Sequence, residues 1–371
     1  MEGAIEPISV IGIGRLGLCF ALTLDRAEYD VLGVDISPQY VKAVNDKTLK
    51  SDEENVERYL QASQNFVATT SLQSAVEFSD MLYVVVATPS LPTGRYDHSQ
   101  VDSVVENLIK LGPQKNKHLI ICCTTMPGYC DTVFERLSSY GYAVSYNPEF
   151  IAQGTVLRDQ ARPDTVLIGE SNLEVGDKIQ EMYERITLNA PAIHRMTRTE
   201  AEICKIALNC FLTTKIAYAN MVGDIARFAG VRPDPILKAV GSDTRIGKKY
   251  LGYGYGYGGP CFPRDNRALA LYAGDVGVDA LISKASDKSN SYHLDYQIEL
   301  FKTENSIDTL VEFAFVSYKP ESTMLVESQQ LLFAKKLAEE GYVVILNERP
   351  SVIEEVKNMY GDLFVYKERR G

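Results

Sequence analysis

One cysteine in this chain stands where its thiol could react. Gly256-Tyr257-Gly258-Gly259-Pro260-Cys261-Phe262-Pro263-Arg264-Asp265 leads three glycines into a thiol and sets a carboxylate four residues beyond it. Glycine lacks a Cβ, so such a run brings backbone close to a ligand. A thiolate held there would be a nucleophile toward a bound substrate. That chemistry requires a cofactor or partner to generate an electrophile, and a means of binding the substrate. Arg245, Lys248 and Lys249 precede the loop. They suit a phosphate-bearing substrate, or equally a solvated charge cluster. Upstream, Lys205 and Asn209 lie four apart in an otherwise apolar stretch, so they share one helix face. From spacing alone, a lysine in that setting reads as a solvated head whose stem covers apolar surface.

The first half of the chain supplies a cofactor fold. Residues 8–12 read as a buried strand, followed by Gly12-Ile13-Gly14-Arg15-Leu16-Gly17 and an apolar helix. The next strand, 31–35, ends in Asp35, 18 residues beyond Gly17. This is the dinucleotide fingerprint in its required context. Gly12 allows the tight turn, Gly14 admits the pyrophosphate, and Gly17 lets the helix pack on the strand; the helix N-terminus favours the negative charge. Asp35 would accept hydrogen bonds from the ribose hydroxyls and repel a 2′-phosphate, which favours NAD over NADP. Further alternating strands and helices imply a mostly parallel, doubly wound sheet with ligands at its carboxyl edge. Three polar turns fall at that edge: Ala87-Thr88-Pro89, Thr124-Thr125-Met126-Pro127 and Asn147-Pro148-Glu149-Phe150. Each alone is as well read as a strand-end turn; three together suit a site.

From residue 197 the pattern becomes helical. Ile203, Ile206, Ala207, Phe211, Ile216, Met221 and Ile225 recur at helical spacing through 200–230. A helix of that length spans ~45 Å, enough to join two domains and present a dimer surface. Short helices are expected at 234–240 and 265–272. A strand at 309–315, a helix at 326–340, a strand at 342–346 and a final pair at 351–360 and 363–365 make a second α/β unit. It is shorter than a full nucleotide-binding half, and 367–371 reads as a basic tail.

Bulk properties narrow the function further. The chain has 371 residues, 45% hydrophobic and 23% charged, which suits a globular protein of two or three domains. Its net charge of −11 argues against nonspecific nucleic-acid binding. The longest apolar runs fall far short of a membrane span, and the acidic start has no signal-peptide core, so a cytoplasmic protein is expected. Seven cysteines without a CxxC pair speak against a disulfide framework or a zinc site.

Taken in order, these motifs resemble the UDP-glucose/GDP-mannose dehydrogenase family over nearly the whole chain. Besides those already quoted, they include Arg162-Pro163-Asp164-Thr165-Val166-Leu167-Ile168-Gly169, Ala201-Glu202-Ile203-Cys204-Lys205, Asn209-Cys210-Phe211-Leu212, Asp243-Thr244-Arg245-Ile246-Gly247, Ser317-Tyr318-Lys319-Pro320 and Glu327-Ser328. The cysteine loop is most similar to that of UDP-glucose 6-dehydrogenases. The resemblance implies a four-electron oxidation of UDP-glucose to UDP-glucuronate with two NAD, through a thiohemiacetal and a thioester on Cys261. Lys205 would stabilise an oxyanion or take the alcohol proton, and Asn209 would bind the same oxygen or a water. Asp265 and Thr125 would hold a water, and Glu149 would be the base for hydrolysis. Gly12, Gly14, Gly17, Asp35, Thr88 and Thr125 would serve the cofactor. Glu149, Phe150, Lys205, Asn209, Arg245, Gly258 and Lys319 would serve the nucleotide sugar, Arg245 across a homodimer. No metal is implied.

The implied fold is α/β, with an N-terminal Rossmann-type domain (1–196), a central long-helix segment carrying the cysteine loop (197–303) and a short, truncated C-terminal α/β domain (304–371). Three positions depart from the family pattern: Gln153 replaces an acid, Val326 an arginine, and Tyr40 an arginine near the adenosine ribose. Two other readings remain open from the residues. One is a single-step hydroxyacid-type NAD dehydrogenase, which also pairs a lysine and an asparagine but needs no cysteine. The other is a nucleotide-sugar-binding protein with weakened catalysis.

Overall fold

The computed structural model of the chain describes residues 6–151, 154–320 and 322–369. Gln153 therefore lies outside the described residues. The chain divides into two compact units, Met1–Lys205 and Ile206–Gly371.

The first unit alternates strands and helices: β1 (Ile8–Ile11), α1 (Arg15–Arg26), β2 (Val31–Val34), α2 (Pro38–Asn45), α3 (Val56–Ala62), β3 (Phe66–Thr69), α4 (Leu72–Phe78), β4 (Met81–Val84), α5 (Ser99–Lys110), β5 (Lys117–Ile121), α6 (Tyr129–Leu137), β6 (Tyr142–Tyr146), α7 (Val156–Ala161), β7 (Thr165–Gly169), α8 (Leu173–Ile186) and β8 (Ala192–Met196). Its sheet runs β3-β2-β1-β4-β5-β6-β7-β8. The first six strands are parallel in the order of a doubly wound dinucleotide-binding sheet. β7 meets β6 antiparallel through Tyr146 and Gly169, and β8 pairs parallel with β7.

Helices cover both faces, so the central strands are apolar on both sides. Val10, Tyr83 and Ile120 pack into one core. Their chain neighbours Ile11, Leu82, Val84, Leu119 and Ile121 pack into the other. This alternation along each strand is the strand period of two.

The long helix α9 (Arg198–Phe228) begins in the first unit and continues into the second. There follow α10 (Pro233–Ser242), α11 (Phe262–Asp275), α12 (Leu281–Glu304), β9 (Val311–Phe313), α13 (Gln329–Glu339), β10 (Val344–Glu348), α14 (Pro350–Tyr360) and β11 (Val365–Glu368). The three strands form a parallel sheet in the order β11-β10-β9. Leu294 and Ile298 of α12 join Val311, Phe313, Leu331 and Val344 in its core.

Three local expectations change. Helix α11 starts at Phe262 rather than 265, because Pro263 suits a first turn. Helix α12 has no counterpart among the helices expected from sequence. Lys367 and Glu368 belong to β11, where Lys367 pairs with Glu312, and not to a tail. Among the described residues no helix is long and apolar enough to cross a membrane.

Candidate active site

In the first unit the glycine turn between β1 and α1 is fixed by close approach. Gly12 has φ +92°, and a Cβ there would lie 2.5 Å from the Val85 carbonyl oxygen. A Cβ on Gly17 would lie 2.0 Å from the Gly12 carbonyl oxygen. Gly14 caps α1 without a side-chain hydrogen bond and has open space around it. Such a helix N-terminus presents backbone N–H groups to an anion. Asp35 follows β2, and its Oδ1 accepts the Ser37 N–H at 3.0 Å. Tyr40 lies near Asp35. Burial, then the Asp35 charge, push its phenol up to about 12, so a neutral ring stands where the family often has an arginine.

The three polar turns follow β4, β5 and β6. Thr88 Oγ1 donates to the Thr124 carbonyl at 2.8 Å, tying the first turn to the second. Thr125 is fully buried, and its hydroxyl donates to Glu202 Oε1 at 2.8 Å. Glu202 also accepts the Gly128 and Cys130 N–H groups, at 2.6 and 2.9 Å. In the third turn, the Asn147 side chain donates to the Leu167 carbonyl and accepts from Tyr183. Beyond it, Lys205 Nζ donates to the Glu149 carbonyl and lies 4.1 Å from the centroid of the Phe150 ring. Lys205 is only 7% exposed, so it is not the solvated residue that its spacing suggests. Burial raises the Glu149 carboxyl to about 7; Lys205 partly opposes that rise.

The second unit gathers the remaining residues. Cys261 is exposed at the N-cap of α11. Asp265, one turn on, is buried; its Oδ2 accepts from Asn209 Nδ2 at 2.6 Å and its Oδ1 from Arg264 Nε at 3.1 Å. Gly258 and Gly259 allow close approach of protein to protein. A Cβ on Gly258 would lie 2.2 Å from the Glu327 carbonyl oxygen, and one on Gly259 would lie 2.6 Å from the Tyr318 ring. Lys319 follows Tyr318, with Nζ 5.7 Å from that ring's centroid. Arg245 is exposed and pairs with Asp243 in its own loop at 2.7 Å. Val326 is exposed, and its carbonyl accepts the Gly259 N–H at 3.0 Å.

Thus Glu149, Phe150 and Lys205 meet in the first unit, and Asn209, Asp265 and the Cys261 helix meet in the second. Arg245 pairs with Asp243 of its own loop. Buried carboxylates that were not singled out from sequence include Glu202 and Glu53. Glu202 holds the Thr125 turn; its signal is an acid in an apolar helical stretch, three residues before Lys205. Glu53 accepts the Gly154 N–H at 2.9 Å and lies 3.8 Å from Arg15. Among the described residues, no group of three or more His, Cys, Asp or Glu side chains suits a metal ion.

Residues 6–187 match the NAD binding domain of the UDP-glucose/GDP-mannose dehydrogenase family, and residues 199–292 match its central domain. A GDP-mannose 6-dehydrogenase of Pseudomonas syringae pv. tomato is 30% identical over 351 residues, covering 90% of this chain and 79% of that protein. A UDP-glucose 6-dehydrogenase of Pseudomonas aeruginosa is 29% identical, covering 90% and 77%. The solved structure of a UDP-glucose dehydrogenase from Pyrobaculum islandicum is 28% identical, with a TM-score of 0.88 over 100% of this chain and 88% of that one. The chain therefore belongs to the UDP-glucose/GDP-mannose dehydrogenase family of NAD-dependent oxidoreductases that act on nucleotide sugars.

Proposed function

We propose that the protein oxidises the C6 hydroxyl of UDP-glucose to the carboxylate of UDP-glucuronate in two steps. The observation that carries this reading is the exposed Cys261 at a helix N-terminus, with Asp265 one turn on and held by Asn209. A single-step alcohol dehydrogenase has no use for such a thiol. Gly12, Gly14, Gly17, Asp35 and Thr88 would hold NAD, which accepts one hydride in each oxidation. Lys205 stabilises charge on the C6 oxygen as the alcohol proton leaves. The Cys261 thiolate adds to the aldehyde carbon, and the resulting thiohemiacetal loses a hydride to become a thioester. Water then displaces the thiolate, with Glu149 as the proposed base. The balance is one alcohol, one water and two NAD⁺ giving one carboxylate, two NADH and three protons.

UDP-glucose as substrate is supported by the cysteine loop and by the UDP-glucose dehydrogenases among the relatives. Phe150, Gly258 and Lys319 would contribute to its binding. The three segments 1–196, 197–303 and 304–371 would then be the cofactor, central and nucleotide-sugar domains. A homodimer is supported by an exposed apolar stripe on α9, formed by Phe211, Tyr218, Met221, Ile225 and Phe228. Arg245, exposed and paired with Asp243, would reach the second copy's substrate. Reduced thiols and NAD chemistry suit the cytoplasm.

The test is a panel of UDP- and GDP-sugars with NADH counted per sugar consumed. Two NADH per UDP-glucose are expected. One NADH would sink the two-step mechanism, and preference for GDP-mannose would move the substrate.

A further inference from the structure

The loop before Cys261 is held by side chains from two helices. Residues 251–260 contain no helix or strand, so their backbone polar groups need other partners. Gly254 N–H donates to Asn220 Oδ1 of α9 at 3.1 Å. The Gly254 carbonyl accepts from His293 Nε2 at 2.6 Å and from Gln297 Nε2 at 3.1 Å, both on α12. Asn290 of α12 accepts the Tyr257 N–H at 2.8 Å and donates to its carbonyl at 2.9 Å. Two glycines make room for this packing: a Cβ on Gly223 would lie 1.9 Å from the Tyr253 ring, and one on Gly256 would lie 2.3 Å from Asn290 Oδ1.

At the centre of these contacts is a buried pair. His293 is 2% exposed, and its Nδ1 lies 2.9 and 2.8 Å from the two carboxylate oxygens of Asp224. Asp224 also accepts the Tyr253 hydroxyl at 3.0 Å. The two ring nitrogens thus face a carboxylate and a carbonyl, and neither of those oxygens can donate. Asp224 and the Gly254 carbonyl thus hold the imidazole at both of its nitrogens. Removing one member of such a pair leaves the other buried without its partner.

We propose that Asp224 and His293 are positioning residues for Cys261. The pair fixes the segment from Tyr253 to Gly254, and Asn290 fixes Tyr257, four residues before the thiol. Between Tyr257 and Cys261 lie Gly258, Gly259 and Pro260; Gly258 and Gly259 approach Glu327 and Tyr318, and the Val326 carbonyl holds the Gly259 N–H as a further anchor. The site of the thiol is therefore set by these anchors on one side and by α11 on the other. The inference rests on the dehydrogenase reading for its catalytic consequence, since a misplaced thiol would capture the aldehyde poorly.

The test uses Asp224→Asn and His293→Gln in the full chain, each checked for folding by circular dichroism. Single-turnover measurements should show the first NADH formed within about twofold of the parent rate and the second slowed tenfold or more. KM for the nucleotide sugar should change little, and free aldehyde should become trappable. A second readout does not depend on turnover: the rate of Cys261 alkylation by iodoacetamide, located by peptide mass, should shift at least fivefold. Where either variant fails to fold, Tyr253→Phe removes only the phenol's bond to Asp224 and should shift the same readouts in the same direction, by about threefold. Unchanged alkylation, or equal slowing of both oxidations, would overturn the proposal. A parent protein that forms no NADH with any nucleotide sugar would overturn the dehydrogenase reading instead, and alkylation would still judge the positioning role.

Discussion

Glu149 is the base we propose for thioester hydrolysis. Its carboxyl is raised to about 7, by burial first, with Lys205 opposing. A group whose folded-state pKa is raised favours the protonated folded form. Its contribution to stability is fully present below the unfolded pKa and is lost as pH rises through about 7. Activity runs the other way, because the base must be ionised. Thioester hydrolysis should rise with pH through that region, and Glu149→Gln should abolish the rise and slow hydrolysis on the order of 100-fold. Single-turnover pH profiles check this, and a rise retained in the variant would remove Glu149 as the base. The proposed site residues Glu149, Lys205, Asn209, Cys261 and Asp265 were named from motif order in the sequence. Their environments were not legible there. Spacing alone gave Lys205 a solvated head, whereas the Glu149 carbonyl and the Phe150 ring enclose it.

At the scale of elements, hydrophobic period marked strands near β1, β2, β9 and β10 and the helix α9, but not α8, β8 or α12. Helix α12 buries Ser283, Ser286, Asn290, His293, Leu294 and Ile298. The spacing is helical, yet most of these positions are polar, so no apolar stripe marks it. Its polar face serves the loop before Cys261, which explains why a buried face departs from the usual pattern. Glu202 plays a similar part in the first unit, joining α9 to the N-terminus of α6 and to the Thr125 turn. Glu202→Ala would leave two N–H groups and a hydroxyl without their acceptor. At roughly 1–3 kcal/mol for each buried unsatisfied group, the loss should be at least about 3 kcal/mol. Glu202→Gln keeps one acceptor oxygen and should lose less. Urea unfolding of both variants checks the order; equal stability of Glu202→Ala and the parent would show that the turn does not depend on this carboxylate.

For the whole molecule, the remaining question is what covers α9. Phe211, Tyr218, Met221, Ile225 and Phe228 follow one another at intervals of seven, three, four and three residues, so they form one stripe on the helix. Ile225 and Phe228 are 62% and 89% exposed in the single chain. A stripe of this kind on a chain of net charge −11 suits a second copy, because apolar burial must outweigh the repulsion between like-charged molecules. Tyr218→Glu with Ile225→Glu places two more charges per chain on the stripe. Both positions are exposed in the monomer, so the change should cost little stability there, but it would bury charge at a dimer interface. Light scattering should give a dimer for the parent and a monomer for the double variant, with the circular dichroism spectrum retained. If Arg245 serves the second copy's substrate, activity should fall with the dimer and recover at high protein concentration. A parent that is monomeric at assay concentrations, or a folded variant that remains dimeric, would remove α9 as the interface.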